Sequence, residues 1–404
     1  MKVTTLAITK KHTQVDQTTV YDTDLIYTRV MGLQKSREID VKDVLAYELS
    51  PSLTLFENGE MRVTTTKLVL KRKLQVEHTA RLDVSPQTVI IDGCALLCVV
   101  HWPTNGTVQD FVSNYTAHVI RYLKNSDVYL VFHRYYPQSI KGVTRTVRAG
   151  RFASRHNKMS SNTPLPPQKV SLTVVENKVQ LIDLICKNLR QQKEINCECE
   201  NKLVITGQEP TPIDISNGTT TLRDDLKTTH EEADVIIVQQ MSKLASTAGI
   251  TSIKVICDDT DVFLLLVHFY SVQKLTCNLV MAGTSAGRTV IDIKETVRKH
   301  GALCEQLLAA HALSGCDTVS YMWGIGKGTV LKMLSAGYLL TRLGRQEAQM
   351  ADVLTESTKF IGTSYGAKVT GDMSIIRYDV WASKMAKPTI ASAPKLKALP
   401  PTYK

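Results

Sequence analysis

The stretch TVIIDG, residues 88–93, is a short apolar run that ends in a carboxylate and a glycine. Apolar residues at helical spacing follow over residues 108–124, and a second apolar run, VYLVF, occupies residues 128–132. Strand, helix and strand in this order are typical of the βαβ unit of a parallel sheet. The region therefore predicts an α/β fold.

The same alternation continues towards the C-terminus. Apolar runs predict strands at 203–206, 252–257, 276–282 and 288–293, and helical spacing predicts helices at 179–189, 230–247, 262–270 and 295–314. Such an order indicates a layered sandwich with a mostly parallel central sheet.

Before residue 88 the patterns that predict secondary structure are weaker. There are two β-like runs, at 24–31 and 61–69, and a KRK trio at 71–73 that predicts either a solvated helix face or a targeting patch.

Composition excludes several classes of protein. The chain has 404 residues, of which 43% are hydrophobic and 22% charged, so neither wholesale disorder nor a fibrous rod is expected. No apolar stretch reaches the length of a membrane span, and the N-terminus does not resemble a secretory signal. We expect an intracellular protein without a membrane partner, and a nuclear location is compatible with this.

Nine scattered cysteines without a C-x-x-C pair argue against a disulfide framework or a zinc finger.

Positive charge is concentrated in one segment. The net charge is +11, and residues 128–175 contain no Asp or Glu. Eight basic residues lie there: Arg134, Lys141, Arg145, Arg148, Arg151, Arg155, Lys158 and Lys169. The segment could contact a phosphate backbone, or it could be a solvated loop, and the sequence favours neither.

Carboxylates stand at the edges of apolar elements in five places: Asp92, Glu231-Glu232-Ala233-Asp234, Asp258-Asp259-Thr260-Asp261, Asp292 and Asp317. Each has a structural explanation when taken alone. Asp92 can form a turn, Glu232 can close a capping box with Thr229, and Asp259 and Asp317 can cap helices.

Taken together, the acids indicate chemistry. Loops that follow parallel strands open at one sheet edge, where ligands bind, so the side chains of Asp92, Glu232, Asp234, Asp259 and Asp261 are expected to lie close together. Crowded carboxylates repel one another unless cations neutralise them. Two Mg²⁺ ions about 4 Å apart would do so, and could activate water against a phosphodiester. Mn²⁺ is a possible substitute.

A glycine-rich turn, GIGKG at 324–328, precedes an amphipathic helix. Backbone N–H groups at such a turn can hold a phosphate. The dinucleotide-binding fingerprint does not fit, because no strand precedes the turn and the glycine spacing differs.

These residues together resemble the flap endonuclease family, the xeroderma pigmentosum group G type of nuclease. The similarity lies in a strand that ends in Asp92, the Glu232-Ala233-Asp234 helix start, Asp259-Thr260-Asp261 after a strand, and Asp317 seven residues before Gly324-Ile325-Gly326. The chain also resembles a group of uncharacterised animal proteins with PIN-like domains.

The resemblance implies a PIN-like three-layer fold with a helix–two-turn–helix motif and C-terminal helices. It implies that Asp92, Glu232, Asp234, Asp259, Asp261 and Asp317 bind two Mg²⁺ ions and that Lys141 and Arg148 act on the scissile phosphate. It further implies that nucleic acid, DNA before RNA, contacts Arg134, Lys141, Arg145, Arg148, Arg151, Gly324, Gly326 and Lys327.

The implied organisation has four parts. Residues 1–85 form an N-terminal extension without a counterpart in the family, and 86–345 form the nuclease domain, with an arch-like basic segment at 134–170 and the helix–two-turn–helix motif at about 314–336. Residues 346–382 form a helical portion, and 383–404 a disordered basic tail.

One position departs from the family: His133 stands where the enzymes have Asp after the second strand. A neutral ligand there would weaken Mg²⁺ binding or disarm the site. Three hypotheses follow: a metal-dependent nuclease of the 5′-flap or branched-DNA type, a catalytically degenerate nucleic-acid binder of the same fold, and a structural or protein-interaction domain whose acids are only caps.

Overall fold

The computed structural model describes residues 12–15, 18–21, 23–34, 36–49, 54–57, 60–63, 67–79, 85–136, 158–192, 195, 200–285, 287–368, 371–386 and 395–402. Contacts divide the chain into two units, residues 71–305 and residues 1–70 together with 306–404. We call them the central unit and the terminal unit. Residues 314–336, for which the resemblance implies a helix–two-turn–helix motif, lie in the terminal unit.

An eight-stranded sheet lies in the central unit. Its strands are β5 (Thr88–Asp92), β6 (Asp127–Val131), β7 (Leu203–Thr206), β8 (Ile213–Ser216), β9 (Thr219–Leu222), β10 (Ser252–Ile256), β11 (Asn278–Ala282) and β12 (Ile291–Asp292). Their spatial order is β12-β11-β10-β5-β6-β7-β8-β9. The five strands from β11 to β7 pair in parallel, and the remaining pairs are antiparallel. The predicted α/β class with a mostly parallel sheet is confirmed.

Helices surround this sheet. In the central unit they are α4 (Gly93–Val99), α5 (Val108–Leu123), α6 (Gln168–Ser171), α7 (Val175–Gln191), α8 (Ala233–Ala245), α9 (Thr260–Val272) and α10 (Ile293–His300). Thr107 caps α5 in a full capping box with Asp110, which fixes where that helix begins.

Alternation along the strands divides the core into two layers. Val89 and Ile91 of β5 join a buried cluster with residues of α5 and α7, such as Phe111 and Ile185. Ile90, which lies between them, is also fully buried but points to the opposite face, since neighbouring side chains on a strand alternate. Helix α8 contacts β5 and β6 there. Helices on both faces make the parallel strands apolar throughout, which explains why the sequence signal was strong.

The terminal unit contains two short hairpins and the remaining helices. Its hairpins pair β1 (His12–Val15) with β2 (Thr18–Tyr21) and β3 (Phe56–Glu57) with β4 (Glu60–Met61). Its helices are α1 (Thr23–Leu33), α2 (Val41–Leu45), α11 (Leu307–Leu313), α12 (Lys327–Ser335), α13 (Met350–Ser364) and α14 (Met373–Met385), and α3 (Leu68–Leu74) crosses the boundary between the units. In the described parts of the chain, no helix is both long and apolar enough to cross a bilayer.

The C-terminal residues correct the predicted disordered tail. Helix α14 continues to Met385, and Leu399 is fully buried. The Thr402 hydroxyl donates to the carbonyl of Ala46 at 2.6 Å, and the buried guanidinium of Arg377 donates to the carbonyl of Pro400. Residues 395–402 are therefore a packed part of the terminal unit, because their apolar and carbonyl groups find partners near α2 and α14.

Candidate functional site

Asp92 ends β5 and lies in register with its neighbours. Ile91 pairs with Ile256 of β10, so Asp92 is level with Cys257. Its Oδ1 accepts hydrogen bonds from the backbone N–H groups of Cys94 and Ala95 at 3.0 and 2.9 Å, which caps α4. Its Oδ2 accepts a hydrogen bond from the Cys257 thiol at 3.3 Å. Burial raises the pKa of that thiol, which keeps the sulfur protonated as a donor.

In the acidic loop after β10, the carboxylates of Asp258 and Asp259 have different roles. Asp258 is held by the hydroxyl and N–H of Thr284 and by Arg288, so it anchors the loop. Asp259 is exposed, and its Oδ1 accepts the N–H of Asp261 at 2.7 Å at the start of α9. The predicted cap is therefore present, and it leaves Asp259 at the surface of the site.

A cavity of about 510 Å³ brings these acids together. Its lining residues are Asp92, Cys94, Ala95, Leu97, Cys98, His133, Tyr135, Leu172, Lys178, Asp258, Asp259 and Thr260. Asp92 and Asp259 come from the carboxyl ends of adjacent parallel strands, where ligands of open α/β sheets bind. Asp261, Glu232 and Asp234 do not line this cavity.

His133 organises the start of α8. Its Nδ1 lies 3.0 Å from the N–H of Ala233 and 3.4 Å from Oε2 of Glu232. The N–H of Ala233 donates to this ring nitrogen. Glu232 occupies the N-cap position without making a cap hydrogen bond, so the predicted capping box with Thr229 is wrong. His133 supplies the missing acceptor. Asp234 is buried in the first turn.

A preassembled metal cage is absent from the part of the chain that the structure describes, since no three His, Cys, Asp or Glu side chains converge there. Three carboxylates nevertheless line one cavity, and of these Asp258 is engaged by Thr284 and Arg288, which leaves Asp92 and Asp259. Mg²⁺ is commonly held by one or two carboxylates together with water and substrate phosphates, rather than by an all-protein cage. The donor chemistry of Asp92 and Asp259 therefore fits a hard divalent cation that binds with its substrate.

Arg134 has a structural role, which corrects the prediction that it contacts nucleic acid. Its side chain is fully buried. Its guanidinium donates to five backbone carbonyls, those of Gly207, Glu209, Pro210, Thr228 and His230. These carbonyls belong to the segments after β7 and before α8. Arg134 thus fixes the segment that carries Glu231 and Glu232, and it is not available to a phosphate.

Lys71 is a cation near the acidic loop that sequence reasoning missed. Its ammonium donates to the carbonyl of Asp258 at 3.1 Å. Burial lowers its pKa, an effect that Cys257, Asp258 and Asp259 partly offset. The residue lies in the KRK trio, for which the sequence predicted a solvated face. The position of Lys71 follows from a bridge between Glu77 and Ile291, which places this segment beside the sheet and which the sequence does not reveal.

The remaining sequence candidates lie in the terminal unit or outside the described residues. Asp317 pairs with Lys67. Lys327 is buried, and its ammonium donates to the carbonyls of His311 and Gly315 and to the hydroxyl of Ser314. The unsatisfied carbonyls at the end of α11 thus bind the Lys327 ammonium, and the prediction that Lys327 contacts nucleic acid is left to the backbone of the turn.

The glycine turn itself is present. Gly324 has a φ of +74°, which favours glycine, and Gly326 immediately precedes α12. Lys141, Arg145, Arg148 and Arg151 lie outside the described residues.

No family model matches the chain, and no curated protein matches it in sequence. Among solved structures it is similar to the catalytic core of Rad2 in complex with a DNA substrate, with 12% identity and a TM-score of 0.38 over 68% of this chain and 69% of that chain. A likeness of this size decides nothing about function.

Proposed function

We propose that the chain is a metal-dependent nuclease that hydrolyses phosphodiester bonds in structured nucleic acid, with 5′-flap or branched DNA as the substrate. The observation that carries the proposal is that Asp92 and Asp259, from the ends of two adjacent parallel strands, line one cavity. The net charge of +11 favours a polyanionic substrate.

Asp92 and Asp259 are the residues of the cavity that would hold divalent cations. The family resemblance also implies Glu232, Asp234, Asp261 and Asp317 as ligands, and these four do not line the cavity. A bound Mg²⁺ or Mn²⁺ supplies an activated water and neutralises charge on the phosphate. Asp92 is held in place by two backbone N–H groups, so its carboxylate is oriented before any ligand arrives. Asp258 holds the loop that carries Asp259 through Thr284 and Arg288.

The basic residues would grip the substrate. Lys141 and Arg148 would stabilise charge on the phosphoryl oxygens, and each such donor is worth about 3 kcal/mol in the transition state. Arg145 and Arg151 would contact the phosphate backbone of the nucleic acid. The N–H groups of the turn at Gly324 and Gly326 would contact it as well.

Cleavage of a labelled 5′-flap duplex in Mg²⁺ and in Mn²⁺ tests the proposal. Asp259→Asn should abolish cleavage, and because Asn also caps helices well, α9 should stay intact. The matched control is Asp183→Asn, on the exposed face of α7, and this variant should cleave normally. If neither the native chain nor His133→Asp cleaves flap, hairpin, single-stranded or RNA substrates, the proposal fails.

A second candidate is nucleic-acid binding without cleavage. The observation that favours it is His133, whose Nδ1 is engaged by the N–H of Ala233 where the family has a carboxylate. This candidate expects binding that weakens steeply with salt and survives Asp259→Asn. Binding that requires both a divalent cation and Asp259 would contradict it.

A further inference from the structure

Four residues that line the cavity differ in chemistry from its carboxylates, and we call them together the wall: Leu97 of α4, Leu172, Tyr135 after β6, and Lys178 of α7. Leu97 is buried, and the other three side chains are half-buried. The cavity therefore joins an acidic edge to an apolar, aromatic and cationic wall.

Tyr135 is presented on a fixed backbone. Its N–H donates to Oε1 of Gln208 at 3.2 Å, and Nε2 of the same Gln208 donates to the carbonyl of His133 at 2.9 Å. The Arg134 side chain between them is anchored by its five carbonyl partners. The backbone that carries the ring is therefore held before any ligand binds, which lowers the cost of ordering it.

The Lys178 ammonium lies 5.9 Å from the centroid of the Tyr135 ring. That distance is near the outer limit of a cation–π interaction, so the contact is weak. A phosphate oxygen is a stronger partner for an ammonium, because both groups carry full charges. A phosphate bound by Lys178 would bring the rest of its nucleotide close to the Tyr135 ring.

One ligand class matches all of these features. A flat base suits an aromatic ring beside two leucines, since stacking on an aromatic side chain does not depend on which base is present. A phosphate suits Lys178. The cavity volume of about 510 Å³ is in the range that holds one small ligand.

We propose that the wall of Leu97, Tyr135, Leu172 and Lys178 binds a single unpaired nucleotide unit, with its base on Tyr135 and its phosphate on Lys178. This inference rests on the proposed function, since it names the part of the substrate that the same cavity takes. It makes Tyr135 and Lys178 binding residues outside the motifs that carry the family resemblance.

The test uses a single strand that contains one 2-aminopurine, whose fluorescence is quenched by stacking, with the full chain in EDTA so that no metal-dependent cleavage occurs. Tyr135→Phe should keep the quench, because the ring remains. Tyr135→Leu and Tyr135→Ala should abolish it and weaken binding about tenfold. Lys178→Gln should weaken binding and lower the salt dependence, whereas Lys187→Gln, on the exposed part of the same helix, should change neither.

A second arm replaces the strand with free 2-aminopurine riboside 5′-monophosphate. A Tyr135-dependent quench with the strand alone identifies nucleic acid as the source of the nucleotide, and a quench with both probes identifies a site that also accepts free nucleotides. A quench that persists in Tyr135→Leu, or equal weakening by Lys178→Gln and Lys187→Gln, overturns the proposal. Because the readout is independent of cleavage, a chain that cleaves without this quench retains the proposed function and loses only this inference.

Discussion

His133 stands where the flap endonucleases that this sequence resembles have an Asp, and it makes one of the contacts that a carboxylate could make. Its Nδ1 accepts the N–H of Ala233, as an Asp oxygen could, so the local fold does not require a carboxylate at this position.

Removing this acceptor should destabilise the start of α8. We expect His133→Ala to lower the free energy of unfolding by about 1 kcal/mol, the usual cost of losing a helix cap. His133→Asn, which retains an acceptor, should lie close to the native value. Urea unfolding followed by circular dichroism measures both, and equal losses in the two variants would contradict the role given to Nδ1.

Arg134 shows how a basic residue in a basic segment can serve the fold instead. Arg134→Met should lower the free energy of unfolding by about 3 kcal/mol, because several buried carbonyls lose their donors together. Arg121→Met, on the exposed face of α5, should cost less than about 0.5 kcal/mol. A stability unchanged by Arg134→Met, with weaker binding of nucleic acid instead, would restore the original prediction.

At the scale of elements, the capping box of α5 depends on pH. Hydrogen bonds from Thr107 lower the pKa of Asp110 in the folded chain. A lowered pKa means that the ionised form favours folding, so the contribution is present at neutral pH and disappears as pH falls below about 4 and through the lowered value. The difference in urea midpoint between the native chain and Asp110→Asn should therefore shrink between pH 6 and pH 3. A constant difference would exclude this linkage.

The elements that the sequence predicted well are those whose pattern of apolar residues fits one kind of secondary structure. Strands such as β5 and β6 are buried on both faces, and their apolar runs are flanked by turn and helix signals. The β-like runs at 24–31 and 61–69 failed: the first lies in α1, and the second is divided between β4 and α3. The predicted helix at 295–314 is interrupted at Gly301, whose φ of +53° ends α10.

The residues of the site were predictable only in part, because many of their contacts leave no pattern in the sequence. The sequence predicted that Asp92 and Asp259 lie at the same edge of a parallel sheet, but not that their strands are neighbours. The partners of Lys71 and Arg134, and most of those of Lys327, are backbone carbonyls, which have no signature in the sequence, so charge alone did not indicate their roles. Tyr135 and Lys178 belong to no motif.

At the scale of the whole molecule, the terminal unit depends on the residues near the C-terminus. Leu399→Ala should cost about 3 kcal/mol, since the side chain is fully buried. Hydrogen exchange should then accelerate in α2 and α14, while β5 and β10 of the central unit keep their protection. Leu354→Ala, at a half-exposed position in α13, is the control. Loss of protection in β5 would mean that the two units unfold together.

Because residues 1–70 and 306–404 form one unit, the order of synthesis separates its two halves. Every residue that lines the cavity has left the ribosome before most of α11 to α14 is made. The central unit can therefore begin to fold during translation, while the first 70 residues wait for partners that arrive last. A nascent chain arrested near residue 305 would carry all the walls of the cavity together with an N-terminal segment whose apolar side chains, Leu45 and Leu70 among them, are open to chaperones.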